Sequence, residues 1–322
     1  MEEDMKKIFF VIVLKIFILN VVCYGSVISD IKSFSFPNKT GKEVLILISD
    51  KISTFDEVKD SIYDSLKGYN IYTYNFQGDT NLMKELPDIV SKIKPNVVVA
   101  IGVSVLENLV GKVDIPIVFT MVINYKKFNV EKYKNIAGVS LQVPVESVFF
   151  NLKTVYPNFR KVGVICSQDY YNSFILPFVD SVKLSLEVEI VPYIISSSKD
   201  YISSYNSLAK NVDVMWMVPD TSVLDKNSII YFINESFKNS KPTVVYSEPF
   251  VEAGGFFSVS PNYSTIGSQV ALMIRRIIED NVSPNKLGIA PVVGTFTTIN
   301  REMAKKLSID ENMLGIVDKV VK

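Results

Sequence analysis

NVVVAIGVSVLENLVGKVDIPIVFTMV, residues 96–122, decides the fold. Its two ends, NVVVAIG (96–102) and PIVFTMV (116–122), are apolar enough to be central strands buried on both faces. Between them GVSVLENLVGK (102–112) is a strand-to-helix turn, because its glycines lack the spacing of a phosphate loop. A strand, a turn into a helix and another apolar strand form the repeating element of a parallel sheet covered by helices.

The same alternation extends outward on both sides. EVLILIS (43–49) reads as a strand, followed by a helical stripe of Phe55, Val58, Ile62 and Leu66, which Thr54 and Glu57 open at capping-box spacing. IYTYNF (71–76) is strand-like, and a helix between about residues 82 and 93 tolerates Pro87 only near its first turn. A second series follows residues 136–144, with strands KVGVIC (161–166), VEIVPYII (188–195), VDVMWMVP (212–219) and PTVVYS (242–247). Helices are expected after Asn172, around 201–208 and over 229–237. This is an α/β chain of two similar lobes, and two such lobes imply a cleft between them.

SVSPNYSTIGSQVALMIRRIIED (258–280) supplies a further helix, whose Ile266, Val270, Ala271, Ile274, Ile277 and Ile278 form one apolar stripe. Asn262, Ser264 and Thr265 are its N-cap candidates.

The chain has 322 residues, 48% of them hydrophobic, enough for roughly two domains with their own cores. Lysine plus arginine and aspartate plus glutamate number 34 each, which argues against nucleic acid as the main partner. Histidine is absent, which removes Ser-His-Asp and Cys-His nucleophiles, histidine bases and His-containing zinc sites. Cys23 and Cys166 are the only cysteines, too few for a thiolate metal cluster, and Cys166 reads as a buried strand residue. No GxGxxG follows the first strand, so no nucleotide cofactor is expected. Asp50, Asp220 and Glu248 could supply a carboxylate pair for glycoside hydrolysis, a weak signal, and an exported hydrolase would use Asp220 and Glu248.

At the N-terminus Lys6 and Lys7 precede an apolar segment from Ile8 to Cys23, interrupted by Lys15 and Asn20. Residues 1–25 resemble a secretory signal peptide with Gly25 before a cleavage point. Lipidation at Cys23 and an uncleaved anchor helix are the alternatives, and each places the body outside the cytoplasmic membrane.

Ligands of open parallel sheets bind beyond the carboxyl ends of strands. Those positions are Ser49-Asp50, Gly102-Val103-Ser104, Thr120-Met121, residues 168–173 with Tyr170, Asn172 and Ser173, Asp220-Thr221, and Ser247-Glu248. Hydroxyls, amides and one or two carboxylates suit the two charged ends of an amino acid. Tyr170, Tyr171, Phe250, Phe256 and Tyr263 are candidates for stacking on it.

PDIVSKIKPNVVVAIGVSV (87–105), NIAGVSLQVPVE (135–146), FRKVGVICSQDYYNS (159–173), YSEPFVEAGGFFSVSPNYSTIGSQVALMI (246–274) and TTINREMAKKLSI (297–309) together resemble the substrate-binding proteins of ABC importers, the group with tryptophan- and tyrosine-binding lipoproteins. The resemblance implies a type I periplasmic-binding-protein fold: two Rossmann-like lobes with parallel sheets, joined by a three-crossover hinge and closing on a ligand. It implies lobes at 38–140 plus 254–285 and at 141–253 plus 286–322, with FFSVS returning to the first and TTIN crossing back to the second. By motif, Gly102 to Ser104 and Thr120-Met121 would bind from the first lobe, Asn172-Ser173 and Asp220-Thr221 from the second. The family often has Thr-Asp-Pro where this chain runs Ile123-Asn124-Tyr125, and Asn where it has Thr221. The expected function is capture of an aromatic or branched amino acid by a monomer that delivers it to a membrane permease, without catalysis. A ligand sensor feeding a signalling receptor is the alternative.

Overall fold

A computed structural model describes residues 30–322, so the expected signal peptide and Cys23 lie outside the described residues. β1 (Glu43–Ile48) and β3 (Val97–Ile101) are buried at every position, which is why their sequences show no alternation. β2 (Asn70–Asn75), half-buried on one side, alternates. With β4 (Ile117–Thr120), β5 (Ile136–Val139) and β11 (Ile289–Ala290) they form one sheet in the order β11-β5-β4-β3-β1-β2. β1 runs parallel to both neighbours, Val44 facing Ile71 on one side and Val97 on the other.

The second sheet repeats this order. β6 (Lys161–Cys166), β7 (Glu189–Ile194), β8 (Val214–Trp216), β9 (Thr243–Val245) and β10 (Phe257–Pro261) stand as β7-β6-β8-β9-β10, and β12 (Thr295–Asn300) and β13 (Lys319–Val321) extend it. β12 is antiparallel to β10, with Ser258 facing Thr298; the other pairs in the sheet are parallel. In each sheet the first strand of the series has the second on one side and the third on the other, a doubly wound order.

The described residues divide into two compact units: residues 30–120, 131–138 and 267–288, and residues 121–130, 139–266 and 289–322. The expected return to the first lobe at residue 254 occurs later, after Ile266, because β10 pairs with β9 and β12. FFSVS therefore belongs to the second sheet, as does TTIN in β12.

Local signals account for most helix boundaries. The helix Leu86–Ile93 carries Pro87 in its first turn, and a separate helix, Thr80–Lys84, precedes it with Asp79 as its cap. The helix Ser53–Ser65 buries Val58 and Ile62, but starts one residue before Thr54 and has no side-chain cap. Thr54 is thus inside the first turn, where its hydroxyl cannot serve as the expected capping box. Asn262 opens the helix Tyr263–Ile278, its Oδ1 accepting from the Thr265 N–H at 3.1 Å. Ile266, Val270, Ala271 and Ile274 of that helix are buried. A Cβ on Gly267 would lie 2.5 Å from Cβ of Ser61 and 2.6 Å from the Val58 carbonyl, so glycine permits close packing on the helix Ser53–Ser65.

Candidate ligand site in the second unit

In a doubly wound sheet the strands flanking the order reversal splay their loops apart, and polar groups gather there. In the first unit this point lies between β1 and β3. Ser49, 7% exposed, donates through Oγ to the Ile101 carbonyl and accepts from the Val105 N–H, both at 3.1 Å. Gly102 has φ +95°, and a Cβ there would lie 2.6 Å from that same Oγ. Ser49 thus fastens β1 to the turn Gly102-Val103-Ser104, which opens the helix Val103–Leu109. Asp50 is exposed and accepts from the next backbone N–H, that of Lys51. Thr120 is fully buried with an unpartnered Oγ1, and Met121, expected in the first lobe, belongs to the second unit and takes a left-handed φ of 57°.

In the second unit the matching point lies between β6 and β8. Asp220, 2% exposed, accepts from the Ser167 N–H at 2.7 Å and from the Ser222 N–H at 3.2 Å. Its carboxylate ties the two loops together. Ser167 in turn caps Gln168–Tyr170, so helical backbone begins before Asn172. Asn172 and Ser173, expected in the loop ahead of a helix, lie instead inside a π turn, Tyr171–Ile175. The Asn172 Oδ1 accepts from Gln168, and the Ser173 carbonyl accepts from the Lys126 ammonium at 2.6 Å. Thr221 is exposed. The Asp220 and Glu248 carboxylates serve different partners, since Glu248 pairs with Lys319 at 2.5 Å. Cys166 is fully buried, and burial with the nearby Asp220 charge pushes its thiol up to about 12.

The cavity of this unit lies over β8, β9 and β10. Its volume is about 160 Å³, with walls from Val148, Trp216, Val244, Val259 and Pro261 and polar edges from Gln142, Tyr246, Ser247 and Tyr263. Trp216, the only tryptophan, is 4% exposed and held edge-on by Phe149 with ring centroids 5.1 Å apart. Ser247 precedes the helix Glu248–Glu252 without capping it. Gln142 donates through Nε2 to the Tyr170 hydroxyl at 3.0 Å, and that hydroxyl lies 3.3 Å from Oε1. Burial above all pushes the Tyr170 phenol upward, so it stays protonated. A hydrocarbon-lined space of roughly 150 Å³ is known to hold one benzene ring, so this one has room for a single aromatic side chain.

Of the residues expected at a site, Ser247 and Tyr263 line this cavity, while Phe250 and Thr221 line an adjoining one of about 340 Å³. Tyr170 stands behind Gln142, Phe256 is fully buried, and Tyr171 is half-buried. Gln142, Trp216 and Tyr246 were not legible as site residues. Trp216 falls in an uninterrupted apolar run, where no alternation marks which side chain faces a cavity.

The model of the family "ABC transporter substrate binding protein" matches residues 48–321. The chain is 24% identical over 276 residues to a tyrosine-binding protein of Clostridioides difficile, covering 80% of this chain and 78% of that protein. Among solved structures it resembles a ligand-free, open substrate-binding protein with adhesive properties from Clostridium difficile, with a TM-score of 0.69 and 20% identity over 87% of this chain and 99% of that one. It also resembles a domain from Streptococcus pneumonia in complex with L-Trp, with a TM-score of 0.61 and 20% identity over 87% of this chain and all of that one. The two parallel-sheet units and these likenesses identify the fold as that of type I periplasmic binding proteins. The chain is a member of the ABC transporter substrate-binding protein family.

Proposed function

We propose that this protein captures an aromatic amino acid outside the cytoplasmic membrane and hands it to a membrane permease, without transforming it. The observation that carries this reading is the ring-sized apolar cavity beside Trp216. The tyrosine-binding relative and the neighbour in complex with L-Trp support it. Burying one aromatic side chain is worth about 1.5–3 kcal/mol, whereas micromolar affinity needs about 8. The rest falls to hydrogen bonds and charge-assisted contacts with the solute's amino and carboxylate groups. Ser247, at the cavity edge and not used as a helix cap, is one such contact in this reading.

The test uses the tryptophan as its own reporter. Titrating L-tyrosine should change Trp216 emission saturably and raise the melting temperature, with a stabilisation of about 2.7 kcal/mol at ligand one hundredfold above Kd. A screen of the twenty amino acids that gives no thermal shift overturns the reading. Binding of L-tyrosine that leaves the Trp216 emission unchanged places the solute elsewhere.

A further inference from the structure

The cavity walls are hydrocarbon apart from a few polar edges, and one of these edges is held in place from behind. Gln142 lines the cavity, and its side-chain amide lies against the Tyr170 hydroxyl, 3.0 Å from Nε2 and 3.3 Å from Oε1. Tyr170 is itself only 1% exposed, packed against Phe174 with ring centroids 5.0 Å apart. The backbone on the other side is fixed too, since the Gln142 N–H donates to Ser140 Oγ at 3.0 Å.

A primary amide carries two N–H donors and two acceptor lone pairs, while a phenol has one hydrogen and accepts through its oxygen. Tyr170 therefore engages at most part of the amide on each side. One donor and one acceptor position of Gln142 remain at the edge of a mostly hydrocarbon space, whose other polar edges are Tyr246, Ser247 and Tyr263. We infer that Gln142, positioned by Tyr170, selects aromatic amino acids whose ring bears a hydrogen-bonding group, a phenol hydroxyl or an indole N–H, over those with a plain phenyl ring. This rests on the aromatic-amino-acid reading and sharpens it. The physical reason is that a phenyl ring in the cavity would strip water from the spare amide groups without replacing it. A site built around a polar contact discriminates against the ligand that lacks it more strongly than an apolar pocket discriminates by size.

The test is calorimetric titration of the full chain with L-tyrosine, L-tryptophan and L-phenylalanine. In the unaltered protein, tyrosine and tryptophan should bind at least tenfold tighter than phenylalanine, a comparison that needs no variant. Gln142→Leu should collapse that ratio to within about threefold by weakening tyrosine and tryptophan while leaving phenylalanine nearly unchanged. Tyr170→Phe, which keeps the ring packing, should lower the ratio part of the way, an outcome that general loosening of the fold does not predict. Equal affinity for all three in the unaltered protein, or a ratio untouched by Gln142→Leu, overturns the inference while leaving the aromatic reading intact. Failure of all three to bind overturns both.

Discussion

At the amino ends of its two central strands the first unit uses an amide: Asn96 Oδ1 accepts from the Glu43 N–H at 2.9 Å. The second unit uses a carboxylate at the same place, Asp213, which accepts from the N–H groups of Arg160 and Lys161, both at 2.8 Å. The carboxyl ends repeat the contrast. There Ser49 ties β1 to the turn after β3 through a hydroxyl, and Asp220 ties the loop after β8 to the loop after β6 through a charge. Both units thus close the gap that a doubly wound order opens, one with neutral groups and one with ionised ones. The grooves differ as well. The first unit's lies beside the helix Ser53–Ser65, is lined by Lys51, Asp56, Lys59 and Asp60, and suits water, whereas the second unit has the hydrocarbon cavity by Trp216. One topology therefore serves two chemistries, because backbone order positions a site and side chains decide what it holds.

Four measurements test this contrast, in descending order of effect. Trp216→Ala should cost about 3–5 kcal/mol of unfolding free energy in urea titration, from lost burial and the void left against Phe149. A smaller loss would mean that the cavity walls collapse easily and are not a preformed seat. Gly102→Val should cost about 3 kcal/mol by the same measurement, since it combines backbone strain at a φ of +95° with overlap on Ser49. Asp220→Ala should cost about 1–3 kcal/mol by stranding the half-buried Ser167 N–H, against about 1 kcal/mol for Ser49→Ala. Equal losses would erase the distinction between charged and neutral ties.

The fourth concerns pH. Burial alone would raise the Asp213 pKa, but the backbone N–H groups of Arg160 and Lys161 outweigh it and hold the carboxyl below its ordinary value of 3.8. A carboxyl depressed on folding contributes stability that is fully present above its unfolded pKa and lost as pH falls through the lower folded one. Asp213→Asn should therefore destabilise the protein slightly at pH 7 and make little difference near pH 2, as read from melting temperatures at the two pH values. Asn96→Ala in the first unit should show no such pH dependence.

Most strands and helices were legible because buried parallel strands are written as apolar runs and helices as stripes at spacings of three and four. That residues 254–266 stay in the second unit was not, since FFSVS reads as a strand wherever it pairs. The polar residues at the strand ends could be read from the sequence, but Asn172 and Ser173 fall inside a helical turn and the hydrogen bonds of the others were not foreseeable. Ser49 and Asp220 look like ligand groups in sequence and turn out to face their own neighbouring loops.

What the sequence alone determined is two parallel α/β sheets with polar strand ends and no histidine chemistry, because periodicity and composition act along the chain. Tertiary structure decided which of those polar ends are already spent on one another and where an apolar space remains. Trp216, Gln142, Ser247 and Pro261 meet around that space from four separate segments. Their meeting depends on strand order and register, and no local pattern in any one segment encodes it.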